Sequence, residues 1–398
     1  MPTVSPIAPN PAVLTWARVE SGYDEGRVAK RLSTNVNRIV AWESGERVPT
    51  MRQLEDLARF YHRPLGLFFR AQPPKLAPLA AEYRRLPGVT PGKESPELRL
   101  AIRQMSNRRE TMLELLLELG EATPAFDSVA HLAESPAVVA RRLREALDVP
   151  VSDQLGWISE WQAWAQWRAA VERIGVLVFQ FPSVELTEAR GISLLHAPLP
   201  VAAINSKEMI PEARGFTLIH EVVHLMLAAG KEELPAAREA RSGEDWAKLE
   251  RFVEETASHV LVPENALRDV VRSEHLPRNG WDIGDVRKLA RRFRITPLAM
   301  ATRLRASGFF DWEAYQSWRR QWDAYVATLK PRGGGFASPV AKTLGRAGRP
   351  FTQLVLEALT GNRITSDKAA RYLDLRFEHF EKLKGALITR PGSGGANE

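Results

Sequence analysis

From Phe216 to Leu227 the chain is apolar almost throughout, and the polar residues inside the run are Thr217, His220, Glu221 and His224. A helix over this stretch is hydrophobic on nearly every side, which makes it a buried helix. Buried imidazoles and a buried carboxylate require partners, because an unpaired polar group in an apolar interior is costly. Two histidines four residues apart project from one helix face and can bind the same metal ion. A carboxylate between them can take the proton of a water that the metal acidifies. The sequence His220-Glu221-Val222-Val223-His224 therefore calls for a fold organised around a buried metal-carrying helix, with hydrolytic chemistry.

A hydrolytic zinc site needs three protein ligands and one open position. The chain has no cysteine, which excludes disulfides, thiolate ligands and cysteine nucleophiles. The third ligand must then be His, Asp or Glu, and the nearest downstream candidates lie in 249–263. At about 100° per residue, a helix there puts Val253, Glu254, Ala257 and Leu261 within about 60° of Glu250, with His259 opposite. The spacing leaves Glu250 and Glu254 open as candidates. It gives His259 a structural or surface place, as it does His62, His131, His196, His275 and His379, which lack partners at ligand spacing. No oxyanion-stabilising residue is identifiable.

The 398 residues, 44% hydrophobic and 26% charged, suit a soluble chain of several domains. No apolar run reaches a membrane span and residues 1–12 do not read as a signal peptide, so a cytoplasmic location is expected. The net charge of +7 is uneven: residues 330–398 carry 12 Lys/Arg against 6 Asp/Glu, and residues 1–80 carry 11 against 7. Basic ends suggest contact with polyanions.

Helical periodicity predicts a compact bundle over 11–74, with helices at 12–20, 25–32, 36–43 and 51–61 and Thr50 capping the last. A proline-punctuated helical linker follows over 75–155, with helices at 97–121 and 137–147. Trp157, Trp161, Trp164 and Trp167 fall at steps of four, three and three, one stripe of a helix. Short strands are expected at 176–181, 192–195 and 201–205, inside a metal-binding domain spanning 156–270. Residues 271–332 read as helix-turn-helix pieces (283–293 and 297–306), and 333–398 as a basic helical region opening on Gly334-Gly335, with a disordered tail at 391–398. The expected fold class is mostly α with a small β-sheet, an α+β metal-binding domain within a multidomain chain.

The run Arg214-Gly215-Phe216-Thr217-Leu218-Ile219-His220-Glu221-Val222-Val223-His224-Leu225, with the strand unit from Gly191-Ile192 to 201–205 before it, resembles the ImmA/IrrE family of zinc metallopeptidases. The resemblance implies a gluzincin-like endopeptidase in which His220 and His224 bind zinc and Glu221 is the general base. In that family a glutamate thirteen residues before the end of a Leu-x-Pro is the third ligand. Here the ending is Leu261-Val262-Pro263 and the position is Glu250. Glu254 stands where the family usually has Asn, and is a second-shell or alternative ligand. Known members cleave helix-turn-helix repressors and switch on stress or mobile-element genes.

The N-terminal run Ile39-Val40-Ala41-Trp42-Glu43-Ser44-Gly45-Glu46-Arg47-Val48-Pro49 resembles the phage-repressor (XRE) type of helix-turn-helix, with Ser33 where that turn usually has Gly. The stretch continuing through Tyr61–Phe69 and Glu82-Tyr83-Arg84 resembles longer proteins that join this domain to an ImmA/IrrE peptidase. If the third helix enters a major groove, Asn35, Asn37 and Arg38 are the base-edge candidates, and Arg27, Lys30, Arg31 and Arg47 would meet phosphates. The expected partners are a repressor-like protein substrate, duplex DNA and, as a homodimer, a second copy of the chain, with no membrane. A second reading is a DNA-binding transcription regulator whose peptidase-like domain is a sensor or protein-interaction module. A third is an antitoxin-like partner of a neighbouring gene product.

Overall fold

The computed structural model describes residues 8–277, 280–329 and 337–388. The Gly334-Gly335 break and the 391–398 tail lie outside the described residues.

The N-terminal bundle consists of α1 (Pro11–Glu20), α2 (Glu25–Arg31), α3 (Val36–Glu43) and α4 (Met51–Phe60), closed by a 3-10 turn at Leu65–Phe69. Thr50 caps α4 in a capping box with Gln53. The bundle core contains Leu14, Val28, Ile39, Trp42, Leu54, Tyr61 and Phe68. Buried Arg18 binds Glu43 through two hydrogen bonds of 2.8 and 2.9 Å and Glu25 at 2.6 Å, tying α1 to α2 and α3. At Ser33, between α2 and α3, φ is 52°. A left-handed residue fits the position where a glycine is otherwise used.

After an irregular segment come α5 (Pro96–Leu119), α6 (Pro136–Leu147), α7 (Val151–Gly156) and α8 (Glu160–Arg173). The tryptophan stripe does not lie on one helix. Helix α7 ends at Gly156, and Ser159 caps α8 by accepting from the Gln162 amide, so the helical phase restarts after Trp157. Trp157 reaches the same core from the connection and meets Trp167 edge-on at 5.4 Å.

The sheet contains β1 (Leu177–Phe181), β2 (Gly191–Leu194) and β3 (Val201–Asn205) in the order β1-β3-β2. β1 runs parallel to the central β3 and β2 antiparallel to it, with Phe179 opposite Ala203 and Ile192 opposite Ala203. All three strands are buried along their length, so both faces must be covered. Val178, Ala202 and Ile204 face the first core, under α8 and α9 (Pro211–Ala229). Leu177, Phe179, Phe181, Ile192 and Leu194 face the second.

Helices α10 (Gly243–Leu261), α11 (Glu264–Ser273), α12 (Ile283–Phe293), α13 (Pro297–Ala306) and α14 (Trp312–Thr328) follow, and all five extend the first core, α14 through Trp318. Helices α15 (Pro339–Ala347), α16 (Arg349–Thr360), α17 (Ser366–Leu373) and α18 (Phe380–Ile388) share the second core with α5 and the sheet. The fold is mostly helical with one small sheet. Among the described residues no helix is long and apolar enough to cross a membrane.

Candidate metal centre

Helix α9 carries the motif, and the reason for its burial is local. Its surroundings, Leu218, Ile219, Val222, Val223, Leu225, Met226 and Leu227, are at most 2% exposed. It packs on α8 on one side, where Gly215 faces Trp167, and on β2 and β3 on another. Among the described residues, His220, His224 and Glu250 of α10 offer ligand atoms within 4.8 Å of one another. The two Nε2 atoms stand 3.1 Å apart, Glu250 Oε2 is 3.5 Å from His220 Nε2, and Glu250 Oε1 is 3.7 Å from His224 Nε2. Ligand atoms on a tetrahedral zinc with bonds of about 2.0–2.1 Å stand about 3.3–3.4 Å apart. The donor set and its spacing fit such an ion.

His224 is fully buried, and its Nδ1 lies 2.7 Å from Glu233 Oε2. A carboxylate in that position fixes the imidazole tautomer and aims Nε2. Burial holds the His224 pKa well below its usual value, which leaves the ring neutral and able to ligate. Burial also raises Glu233, to about 8; a cation held by the cluster would oppose that rise and favour the carboxylate form that accepts from Nδ1. His220 has no such support: its Nδ1 is buried without a hydrogen-bond partner. Burial opposes the ionisation of Glu250, but the His220 contact and the Arg84 charge outweigh it and bring the carboxyl down to about 2.

Glu221 is 1% exposed and faces β2. Ser193 donates its hydroxyl to Glu221 Oε2. Gly191 permits this approach: a Cβ there would lie 2.5 Å from Glu221 Oε1. Arg84 straddles both carboxylates. Its Nε and Nη2 donate to the two oxygens of Glu221 at 3.1 Å each, and Nη1 donates to Glu250 Oε1 at 3.2 Å. Burial opposes ionisation of Glu221 as well, and Arg84 again reverses the shift downward.

Glu254 is exposed and outside the cluster. The buried stripe of α10 contains Leu249, Phe252, Val253, Thr256, Ala257 and Val260. Its centre lies about 90° from Glu250 and about 130° from Glu254, so Glu250 stands at the stripe's edge and Glu254 beyond it. His259 is on another side of α10, with its Nδ1 3.0 Å from Arg303 Nη2. Arg84 and Glu233 complete the centre unannounced. Glu233 lies nine residues after His224 on a connection, and Arg84 is 137 positions before Glu221. The only sequence signal for Arg84 is the Glu82-Tyr83-Arg84 run.

Residues 171–305 match the peptidase family model described as the IrrE N-terminal-like domain. The IrrE-like segment starts near the end of α8 and continues through α13. It includes both motif histidines, Glu221, Glu233 and Glu250, but not Arg84. No curated protein matches the chain. The segment is thus similar to a peptidase domain, and it carries a His-His-Glu cluster that could hold a metal ion.

In the N-terminal bundle, Lys30, Arg31, Asn37, Arg38 and Arg47 are exposed. Val36 and Val40 are 43% and 49% exposed on α3. Two candidates are already engaged. The Asn35 side chain caps α3 by accepting from the Arg38 amide at 2.9 Å, and Arg27 pairs with Glu97 of α5.

Proposed function

We propose that the protein is a zinc-dependent endopeptidase acting on a regulatory protein, a helix-turn-helix repressor, coupled to a DNA-binding or sensing module at its N-terminus. The observation that carries the reading is the convergence of His220, His224 and Glu250 beside the carboxylate of Glu221. His220 and His224 would hold zinc through Nε2, with Glu250 as the third, gluzincin-like ligand. Zinc there supplies a Lewis acid that polarises a carbonyl and acidifies a water. Glu221 accepts the proton of the attacking water and returns it to the leaving amine. Glu233 fixes the ring of His224, and Ser193 orients the carboxylate of Glu221.

Elemental analysis after metal removal and reconstitution should find about one zinc per chain, from the three-ligand count. Glu221→Gln should retain that zinc and fail to cleave co-expressed repressor-like proteins, since an amide cannot take the proton. Absence of zinc from a folded protein, or wild-type cleavage by Glu221→Gln, would refute the reading.

For the bundle, the exposed Asn37 and Arg38 on α3, flanked by Lys30, Arg31 and Arg47, support binding to duplex DNA. Titration of the full chain against its own upstream DNA should show steep salt dependence and a loss of affinity on Arg38→Ala. The Arg84–Glu221 pair favours a second reading, a transcription regulator whose peptidase-like domain is a silent sensor. Cleavage by the zinc-loaded chain, wild type or Arg84→Ala, excludes it.

A further inference from the structure

β2 lies at one edge of the sheet, and it is the strand nearest the candidate base: Gly191 and Ser193 both touch Glu221. A substrate bond presented to Glu221 would have to pass along the free edge of β2. Extended peptides bind such edges by adding a strand. In this chain that edge is already paired. Tyr83 bridges Leu194 in antiparallel fashion, and the Arg84 amide donates to Ser193 O at 3.1 Å. On its other side the same segment meets the connection after α9: Arg84 bridges Pro235, and the Ala236 amide donates to Tyr83 O at 2.8 Å. Residues 82–85 thus lie as an inserted strand between β2 and the 235–236 segment.

The side chain of this inserted strand fills the space that chemistry would need. The Arg84 guanidinium, 2% exposed at the residue level, spans from Glu221 to Glu250. Oε2 of Glu221 accepts from both Arg84 and Ser193, and Oε1 from the other arm of Arg84. A carboxylate oxygen has about two acceptor sites, so Oε2 is saturated, and Oε1 has one site left, beside the Arg84 guanidinium. The segment is anchored firmly. Tyr83 is 1% exposed and donates its hydroxyl to Glu94 at 2.6 Å, Glu82 lies 2.9 Å from His196 Nε2, and Arg85 stacks over Trp246 at 4.9 Å. It is also tethered to the N-terminal bundle, whose last turn ends at Phe69, and to α5, which starts at Pro96 and pairs with Arg27 of the bundle.

We infer that residues 82–85 are an internal occupant of the substrate cleft, which holds the protein latent until the segment leaves β2. The inference rests on the peptidase reading. Its test uses the full chain reconstituted with zinc, wild type and Arg84→Ala, with leucyl-leucine hydroxamate as a zinc-directed peptide probe. Binding is read by calorimetry and the segment by amide hydrogen exchange over residues 82–86. If the segment must withdraw first, the apparent affinity is reduced by the small fraction of open molecules. Arg84→Ala should then bind the hydroxamate about tenfold tighter or more, and saturating probe should accelerate exchange at 82–86 in the wild type. Tyr83→Phe, which gives up only the hydroxyl bond to Glu94, should shift affinity in the same direction should Arg84→Ala fold poorly. Equal or weaker hydroxamate binding by the variants, or a segment that stays protected under saturating probe, would overturn the proposal. Zinc is measured separately: failure of every protein to retain it overturns the peptidase reading and this inference with it.

Discussion

Gly191→Ala and Gly215→Ala make a matched pair with opposite expected signs. Gly191 packs against α9 and Gly215 lies within it, and neither has a positive φ, so alanine strains neither backbone. At Gly191 a methyl group would lie 2.5 Å from Glu221 Oε1, 2.7 Å from Thr217 Cγ2 and 2.8 Å from Glu221 Cγ. The carboxylate cannot swing aside, because Arg84 and Ser193 hold both its oxygens. β2 must therefore move away from α9, an overpacking cost of about 1–3 kcal/mol. Weakening the Ser193 hydrogen bond to a charged group adds about 1.5–3 kcal/mol, against about 0.4–1 kcal/mol regained from the unfolded chain. The net expectation is a destabilisation of about 2–5 kcal/mol. At Gly215 the methyl meets only Trp167 Cδ1 at 3.7 Å, an ordinary contact. There the helix gains about 0.8–1 kcal/mol. Urea unfolding of the full chain, followed by hydrogen exchange of α9 amides so that the local transition is read directly, should show protection falling in the first variant and rising in the second. Wild-type protection in Gly191→Ala would refute the claim that β2 and the Glu221 carboxylate are in unrelieved contact.

Three further expectations follow from the same geometry. In competitive chelator titrations Glu250→Ala should weaken zinc binding beyond the roughly 10–100-fold typical of an outer partner, Glu233→Ala should fall within that range, and Glu254→Ala should be silent; a dominant loss from Glu254→Ala would transfer the ligand role to it. Burial, aided by Arg303, lowers the His259 pKa from 6.5 to about 4. As pH falls from about 6.5 to about 4 the unfolded chain takes up a proton that the native state refuses, so about 1–3 kcal/mol of stability should be lost in that window. Denaturant curves of wild type and His259→Gln should converge across it, and a constant offset would reject the assignment. Ser33→Gly should stabilise the bundle by up to about 1 kcal/mol, because a left-handed non-glycine costs about 1–2 kcal/mol while glycine adds some unfolded-state entropy; reduced exchange protection of α2 and α3 amides would contradict it.

The parts of the molecule written in local periodicity were legible. The apolar run around His220 and His224 specified a buried helix, and the three strands stood out between prolines and glycines within a residue or so of their bounds. Local pattern failed where a boundary or a distant partner decided the outcome. The tryptophan spacing looked continuous because it cannot register the break that Gly156 and Ser159 introduce. Helical spacing alone puts Glu250 and Glu254 on one shared stripe. The buried side of α10 is centred near Leu249 and Val260, which moves Glu254 into solvent. Arg84 reaches Glu221 by tertiary pairing along β2, and such a contact leaves no periodic trace in either segment. The shared core of α5, the sheet and α15–α18 was hidden for the same reason.

That shared core also sets an order of events during synthesis. The first face of the sheet can be covered once α8 and α9 have emerged. The second presents Leu177, Phe179 and Phe181, and Phe179 meets Phe351 edge-on at 6.3 Å. At translation speeds of about 5–20 residues per second, the segment from Phe181 to Phe351 takes many seconds to follow. During that interval only α5 and the 80–86 segment, with the loops around the strands, shield the face, and a nascent chain is exposed to aggregation or chaperone capture. A truncation placed between α14 and α15 would make that transient state permanent: it would strip a sheet face of its cover rather than release a separate tail.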